Sequence, residues 1–240
     1  MARSKLIKDF ISSNMDIDIA LQNLMAILYC LDNDILINWV TKELSGYDVD
    51  DDLPQYRKLQ GIVRASFIVG YAQYSKRQFG IAHLDEKMQE NLLSTHIYSS
   101  ISTLIEMKDK EVSLGKPIPP EFYGMLQAST NAHITDASVD IDLGMVSDII
   151  SKVKTKILET LLFLEKEFGN LDGLDIDIST KTEEELKSII QHIQVNLYDN
   201  SIAIGNNNKI KNSNIVTNKW NVISWFKGFG NKNKKYSNFT

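Results

Sequence analysis

Apolar residues recur at helical spacing over the first third of the chain. Residues 3–13 predict a short helix. Residues 16–32 predict a second, capped by Asp16, with Leu21, Leu24, Met25, Leu28 and Leu31 as its inward stripe. Asp34 is placed to cap a third, with Ile35, Ile37, Trp39, Val40 and Leu44 on its apolar face. Gly46 stands where a left-handed glycine would end that helix. After Pro54 the period changes. In "GIVRASFIVGYAQYSKRQFGI", Ile62, Arg64, Ser66 and Ile68 alternate with Val63, Ala65, Phe67 and Val69, which predicts a small β element. Residues 85–109 return to helical spacing, and "GKPIPPEF" predicts a proline-rich connection. A further strand fits 131–141. The strongest periodicity runs from 142 to 173, through Val146, Ile149, Ile150, Val153, Ile157, Leu161, Leu164 and Phe168. It predicts one long amphipathic helix ending at Gly169 or Gly173. The charges Lys152, Lys154, Lys156, Glu159, Glu165, Lys166 and Glu167 are read as its solvated face. Thr182 with Glu185 three residues on forms a capping box for a short helix reaching about 194.

These elements predict an α+β protein: a mostly helical N-terminal domain with a small β element (1–173), a helical connector (174–199) and a short β-rich C-terminal appendage (200–240). Composition sharpens the last boundary. Seven of the 26 basic residues and none of the 31 acidic ones lie in 200–240, beside eleven asparagines. That leaves 19 basic against 31 acidic residues before it, a balance of −12 within a net charge of −5. In the tail, Ile202, Ile204, Ile210 and Ile215 stand between Asn, Gly and Ser clusters. This suits very short strands that assemble subunits, or a polar linker. Val222, Trp225, Phe226 and Phe229 follow at i, i+3, i+4 and i+7, with Trp220 close by. Such an aromatic segment docks on the protein or its oligomer, or, beside lysines, on a membrane surface or nucleic acid.

The single cysteine, Cys30, allows no internal disulfide and points to a reducing cytoplasm; it reads as a small buried hydrophobe. The N-terminus has no apolar signal core, and no apolar run approaches the roughly 18 residues that span a bilayer. Asp48, Asp50, Asp51 and Asp52 crowd one loop. A calcium loop begun at Asp48 would need Gly and Glu where Leu53 and Leu59 stand, so a solvated turn is the better reading. Asp172, Asp175 and Asp177 earn the same reading. His83, His96, His133 and His192 have no helical pairing and no cysteine companion, so no metal is expected. His96 and His133 sit in apolar contexts that suit structural roles. No nucleophile elbow, phosphate loop or dinucleotide fingerprint occurs, and no cofactor is expected.

Two stretches taken together resemble a known family. "WVTKELSGYDVDDDLPQYRKLQG" carries Trp39, Glu43, Leu44, Gly46, Tyr47, Pro54, Tyr56 and Arg57. "IISKVKTKILETLLFLEKE" carries Ile157, Leu158, Leu164 and Glu165. Over about residues 3–168 the chain resembles the AbiTii domain of bacterial abortive-infection proteins. One departure is "VKTK" at 153–156, where the family more often has Arg; a bidentate guanidinium is absent there. The resemblance implies a toxic or growth-arresting part in phage defence and carries over no catalytic residue. Glu43, Tyr47, Asp51, Tyr56 and Arg57 form the candidate cluster, functional or structural, with Arg57 expected to face Glu43 or an aspartate. An oligomer is expected, with a defence-system partner protein, nucleic acid or membrane surface as possible contacts. An enzyme acting on nucleic acid or nucleotides would draw on Arg57, Lys58, Arg64 and Asp50 to Asp52.

Overall fold

The structure, a computed structural model, describes residues 3–112, 114–128 and 130–198, with the backbone of 203–204 and 210–211. Met1–Ser201 forms one compact unit and Ile202–Thr240 another. The first unit begins with α1 (Lys5–Ile11), α2 (Ile17–Tyr29) and α3 (Asp34–Ser45). The α2 stripe is Ile17, Ala20, Leu21, Leu24, Ile27 and Leu28, all buried. Met25 is half-buried at its margin, and Cys30 is half-buried just beyond the helix. The α3 cap is Asn33, whose Oδ1 accepts the Leu36 N–H at 3.3 Å, so Asp34 is the first helical residue. Its buried face is Leu36, Trp39, Val40 and Glu43, while Ile35, Ile37 and Leu44 are half-buried.

A 3₁₀ turn at Gln55–Arg57 leads into the β part. β1 (Lys58–Gln60) pairs antiparallel with β4 (Ser94–His96). β2 (Ile62–Val69), β3 (Ala72–Gln78), β5 (Leu114–Pro117) and β6 (His133–Ile141) form an antiparallel sheet in the order β3-β2-β6-β5. Val63, Ala65, Ala137 and Val139 face a core shared with Phe79, Ile81, Leu84, Ile118 and Leu126. Leu92 and Leu93 of α4 (Glu86–Leu93) and Tyr123 and Met125 of α6 (Tyr123–Gln127) pack against it. The alternation read from sequence is this one-faced burial.

Two predicted stretches differ. The helix expected over 85–109 is α4, then β4, then α5 (Ile101–Asp109). Partners outside the stretch reward the break: the Gly61 N–H bonds the Leu93 carbonyl at 2.8 Å, and β1 pairs with 94–96. Ser100 then caps α5 through the Thr103 N–H. The proline-rich connection contains β5, an edge strand, where Pro117 displaces no central ladder bond.

α7 (Leu143–Phe168) is the long helix, started by Asp142 Oδ1 on the Gly144 N–H and ended at Gly169 with φ +93°. Its polar face is not wholly solvated, because Lys156 is buried and Glu165 is bonded to Ser4. α8 (Glu183–Tyr198) opens with the capping box: Thr182 N–H and Oγ each bond Glu185 Oε2 at 2.8 Å. It runs past 194 because Ile193 and Leu197 continue its buried stripe. Gln194 bonds Asn33, and the Tyr198 hydroxyl donates to the Ile35 carbonyl. In the second unit, β7 (Ala203–Ile204) pairs antiparallel with β8 (Ile210–Lys211), setting Ile204 opposite Ile210. Ile202, Ile215, Trp220, Trp225, Phe226 and Phe229 lie outside the described residues.

Candidate functional site

The site is built where α3 stops. Gly46 has φ +93°, and a Cβ there would meet Tyr98 O at 3.0 Å and Ser100 N at 3.3 Å. Glycine therefore allows both the turn and the close passage of 98–100. One turn earlier on α3, Glu43 points inward. Its Oε1 accepts from Tyr47 Oη at 2.8 Å, Tyr56 Oη at 2.7 Å and Arg57 Nε at 3.1 Å. Its Oε2 accepts Arg57 Nη2 at 2.5 Å. Both side chains are 0% exposed. Arg57 Nη1 donates onward to the carbonyls of Ile97 (3.1 Å) and Ser99 (2.7 Å). Its guanidinium lies 4.7 Å from the Tyr47 ring centroid.

This is a buried ion pair with its lone pairs and protons satisfied, the condition under which such a pair persists. Burial first, then the Glu43 charge, push the Tyr47 and Tyr56 hydroxyls well above the ordinary tyrosine value. Both stay protonated and donate. Burial works against the Arg57 charge, but Glu43 outweighs it and raises Arg57 further. The arrangement exposes no nucleophile and no spare proton. What it does is hold backbone. Tyr47 N–H bonds Tyr98 O at 2.8 Å, Ile97 N–H bonds Arg57 O at 2.9 Å, and the guanidinium clamps the carbonyls on either side of Tyr98.

Four of the five cluster residues thus meet, and Asp51 does not. Asp51 sits on the outer loop with Asp48, both 2.7 Å from Lys42 Nζ, and its Oδ2 also accepts the Asp48 N–H. Burial opposes the Asp51 charge, but Lys42 and that N–H hold its carboxyl below the usual range. Asp48 and Asp51 of the acidic run close the loop around Lys42. Among the described residues no group of three or more His, Cys, Asp or Glu could hold a metal ion. Asp172 accepts the Leu6 N–H, and Asp177 caps the turn at Ser179.

Sequence reading missed three features. Lys156, counted as solvated, is 4% exposed. Its Nζ donates to Asn196 O at 2.5 Å, at the C-terminal end of α8 where a cation is favoured, and lies 5.5 Å from the Tyr56 ring centroid. Trp39 Nε1 donates to Tyr56 Oη at 3.1 Å, extending the network. The third is a groove of about 220 Å³ lined by Thr95, His96, Ile97, Tyr98, Ser99, Leu114, Gly115, Lys116 and Ile141. His96 was placed on a helix in an apolar context; it is an exposed strand residue in this groove. Only the Ser-Ser pair before Ile101 hinted at the break, as a cap for a new helix. Of the other candidates, Arg64 lies 3.7 Å from Asp140 on the sheet's outer face.

The arrangement defines an α+β domain in which Glu43, Tyr47, Tyr56 and Arg57 build a buried corner. A family model described as AbiTii matches residues 4–192, most of the first unit. The chain belongs to the AbiTii family, an abortive-infection domain family. No curated protein and no solved structure matches it.

Proposed function

We propose that this chain is a phage-defence effector that works by abortive infection, arresting or killing the infected bacterial cell. The observation that carries this is the family match across residues 4–192. In this reading it acts in the cytoplasm as an oligomer. The single cysteine and the lack, among the described residues, of any helix long and apolar enough to cross a membrane are consistent with that. The asparagine- and lysine-rich segment beyond residue 199 supports assembly: its isoleucines are spaced for short strands that one copy alone cannot bury. A partner protein of the same defence system would supply the trigger.

The test is expression from an inducible promoter in a phage-challenged bacterium, at low and at high ratios of phage to cells. Abortive infection predicts that the culture survives at the low ratio and collapses at the high ratio, with few progeny phage in both. A culture that lyses at the low ratio as fast as the empty-vector control contradicts the proposal.

A further inference from the structure

We infer that the groove between the 95–99 segment and β5 is a phosphate-binding site, one that takes the phosphate of a nucleotide or of a nucleic-acid backbone. Its walls come from two strands at sheet edges. Among the described residues β4 is paired only to β1, and β5 is the outer strand of its sheet. The β1–β4 register sets Lys58 directly opposite His96. Directly opposed residues share a face, so Lys58 stands beside the imidazole that lines the groove. Lys116 enters from the β5 side. No carboxylate among the described residues pairs with Lys58 or Lys116, whereas Lys42, Lys110 and Lys181 each have one. Lys116 and the His96 imidazole thus line the concavity, and Lys58 stands beside His96 at its margin.

The remaining lining is mixed: Ile97, Leu114 and Ile141 are apolar and leave the attached sugar or base, rather than the phosphate, to lie against them. Thr95 and Ser99 bring hydroxyls, and the half-buried Tyr98 brings a ring against which a base can stack. About 220 Å³ holds a phosphate and part of what it is attached to, and is smaller than a typical drug-sized site. Two acidic groups stand at the rim: Asp50 acts on Tyr98, and the Asp140 carboxylate lies against Gly115, 3.7 Å from Arg64. Burial first, then Lys58 and Lys116, hold the His96 imidazole below its ordinary value. A phosphate between the lysines would relieve that repulsion. The floor is rigid because the Glu43–Arg57 corner fixes the carbonyls of Ile97 and Ser99. A prepositioned floor of this kind is what an anion site needs. The inference does not depend on the effector role.

The test follows the ring signals of the four histidines by NMR on the full chain. Inorganic phosphate, adenosine monophosphate and a short single-stranded oligonucleotide are titrated separately. The lysines beyond residue 199 attract an oligonucleotide by charge alone, so the readout must be local. The inference predicts that His96 shifts and titrates at higher pH, while His83, His133 and His192 stay put. Lys58→Gln and Lys116→Gln should each weaken the effect by about tenfold, the loss of one charge-assisted hydrogen bond. Both variants should melt with the parent. A response to the mononucleotide as strong as to the oligonucleotide assigns the site to nucleotides, and a much stronger response to the oligonucleotide assigns it to nucleic acid. An unmoved His96, or four histidines shifting alike, overturns the inference.

Discussion

Glu43 is a carboxylate on the buried face of a helix, where an unpaired charge would be very costly. That Arg57 would face an acid near this helix stop was legible, but whether Glu43 or an aspartate was left open; the structure gives Glu43. That all four would be buried was not legible, since short-range pattern carries no burial for charged residues. Removing one phenol tests the network. Tyr47→Phe should cost about 1–3 kcal/mol, read as a lower urea midpoint, because Glu43 then loses a buried donor. Gly46→Ala should cost at least about 1–2 kcal/mol from the positive φ alone. The nearby Tyr98 carbonyl, 3.0 Å from the added Cβ, increases that. A Gly46→Ala protein that unfolds with the parent would contradict the turn.

Helix ends marked by glycine or a capping box were legible, and the reason is local: Gly46, Gly169 and the Thr182–Glu185 box act through the residue's own backbone or bonds a few residues long. The single-residue caps were not, since Asp16 makes no side-chain cap bond and Asn33, not Asp34, caps α3. The 85–109 break was hidden because it is decided by Arg57, Gly61 and β1, all distant in sequence. The start of α1 is decided at still longer range. Ser4 lends it no side-chain cap. Instead the Ser4 N–H and Oγ bond Glu165 at 2.6 Å, and the Leu6 N–H bonds Asp172 at 3.1 Å. Burial opposes the Glu165 charge, but the Ser4 bonds and Arg3 hold its carboxyl below the ordinary 4.5. Asp172 is held below 3.8, first by the Leu6 N–H and then by Asn170. A depressed folded value gives stability that is complete above the unfolded value and lost as pH falls through the folded one. Amide exchange of α1 should therefore lose protection relative to α7 as the pH drops below about 4. Glu165→Gln should show weakened protection already at neutral pH and a smaller acid loss. An acid loss as large in Glu165→Gln as in the parent would assign it to other groups.

At the scale of the whole molecule, the first unit contains the family match and the second contains the segment proposed to assemble copies. Light scattering after size exclusion should give an oligomer for the full chain and a smaller species for a chain stopped at Tyr198. Equal monomers would remove the assembly role. The central claim is that Glu43, Tyr47, Tyr56 and Arg57 build a frame that holds the 97–99 segment, and that their part is structural. Thermal unfolding of Arg57→Ala tests it most directly. Leaving Glu43 buried without its partner should cost about 3–5 kcal/mol. For a unit of this size that lowers the melting temperature by roughly 6–20 °C. An Arg57→Ala protein that melts with the parent yet no longer protects against phage would place the chemistry at the corner itself and contradict the account.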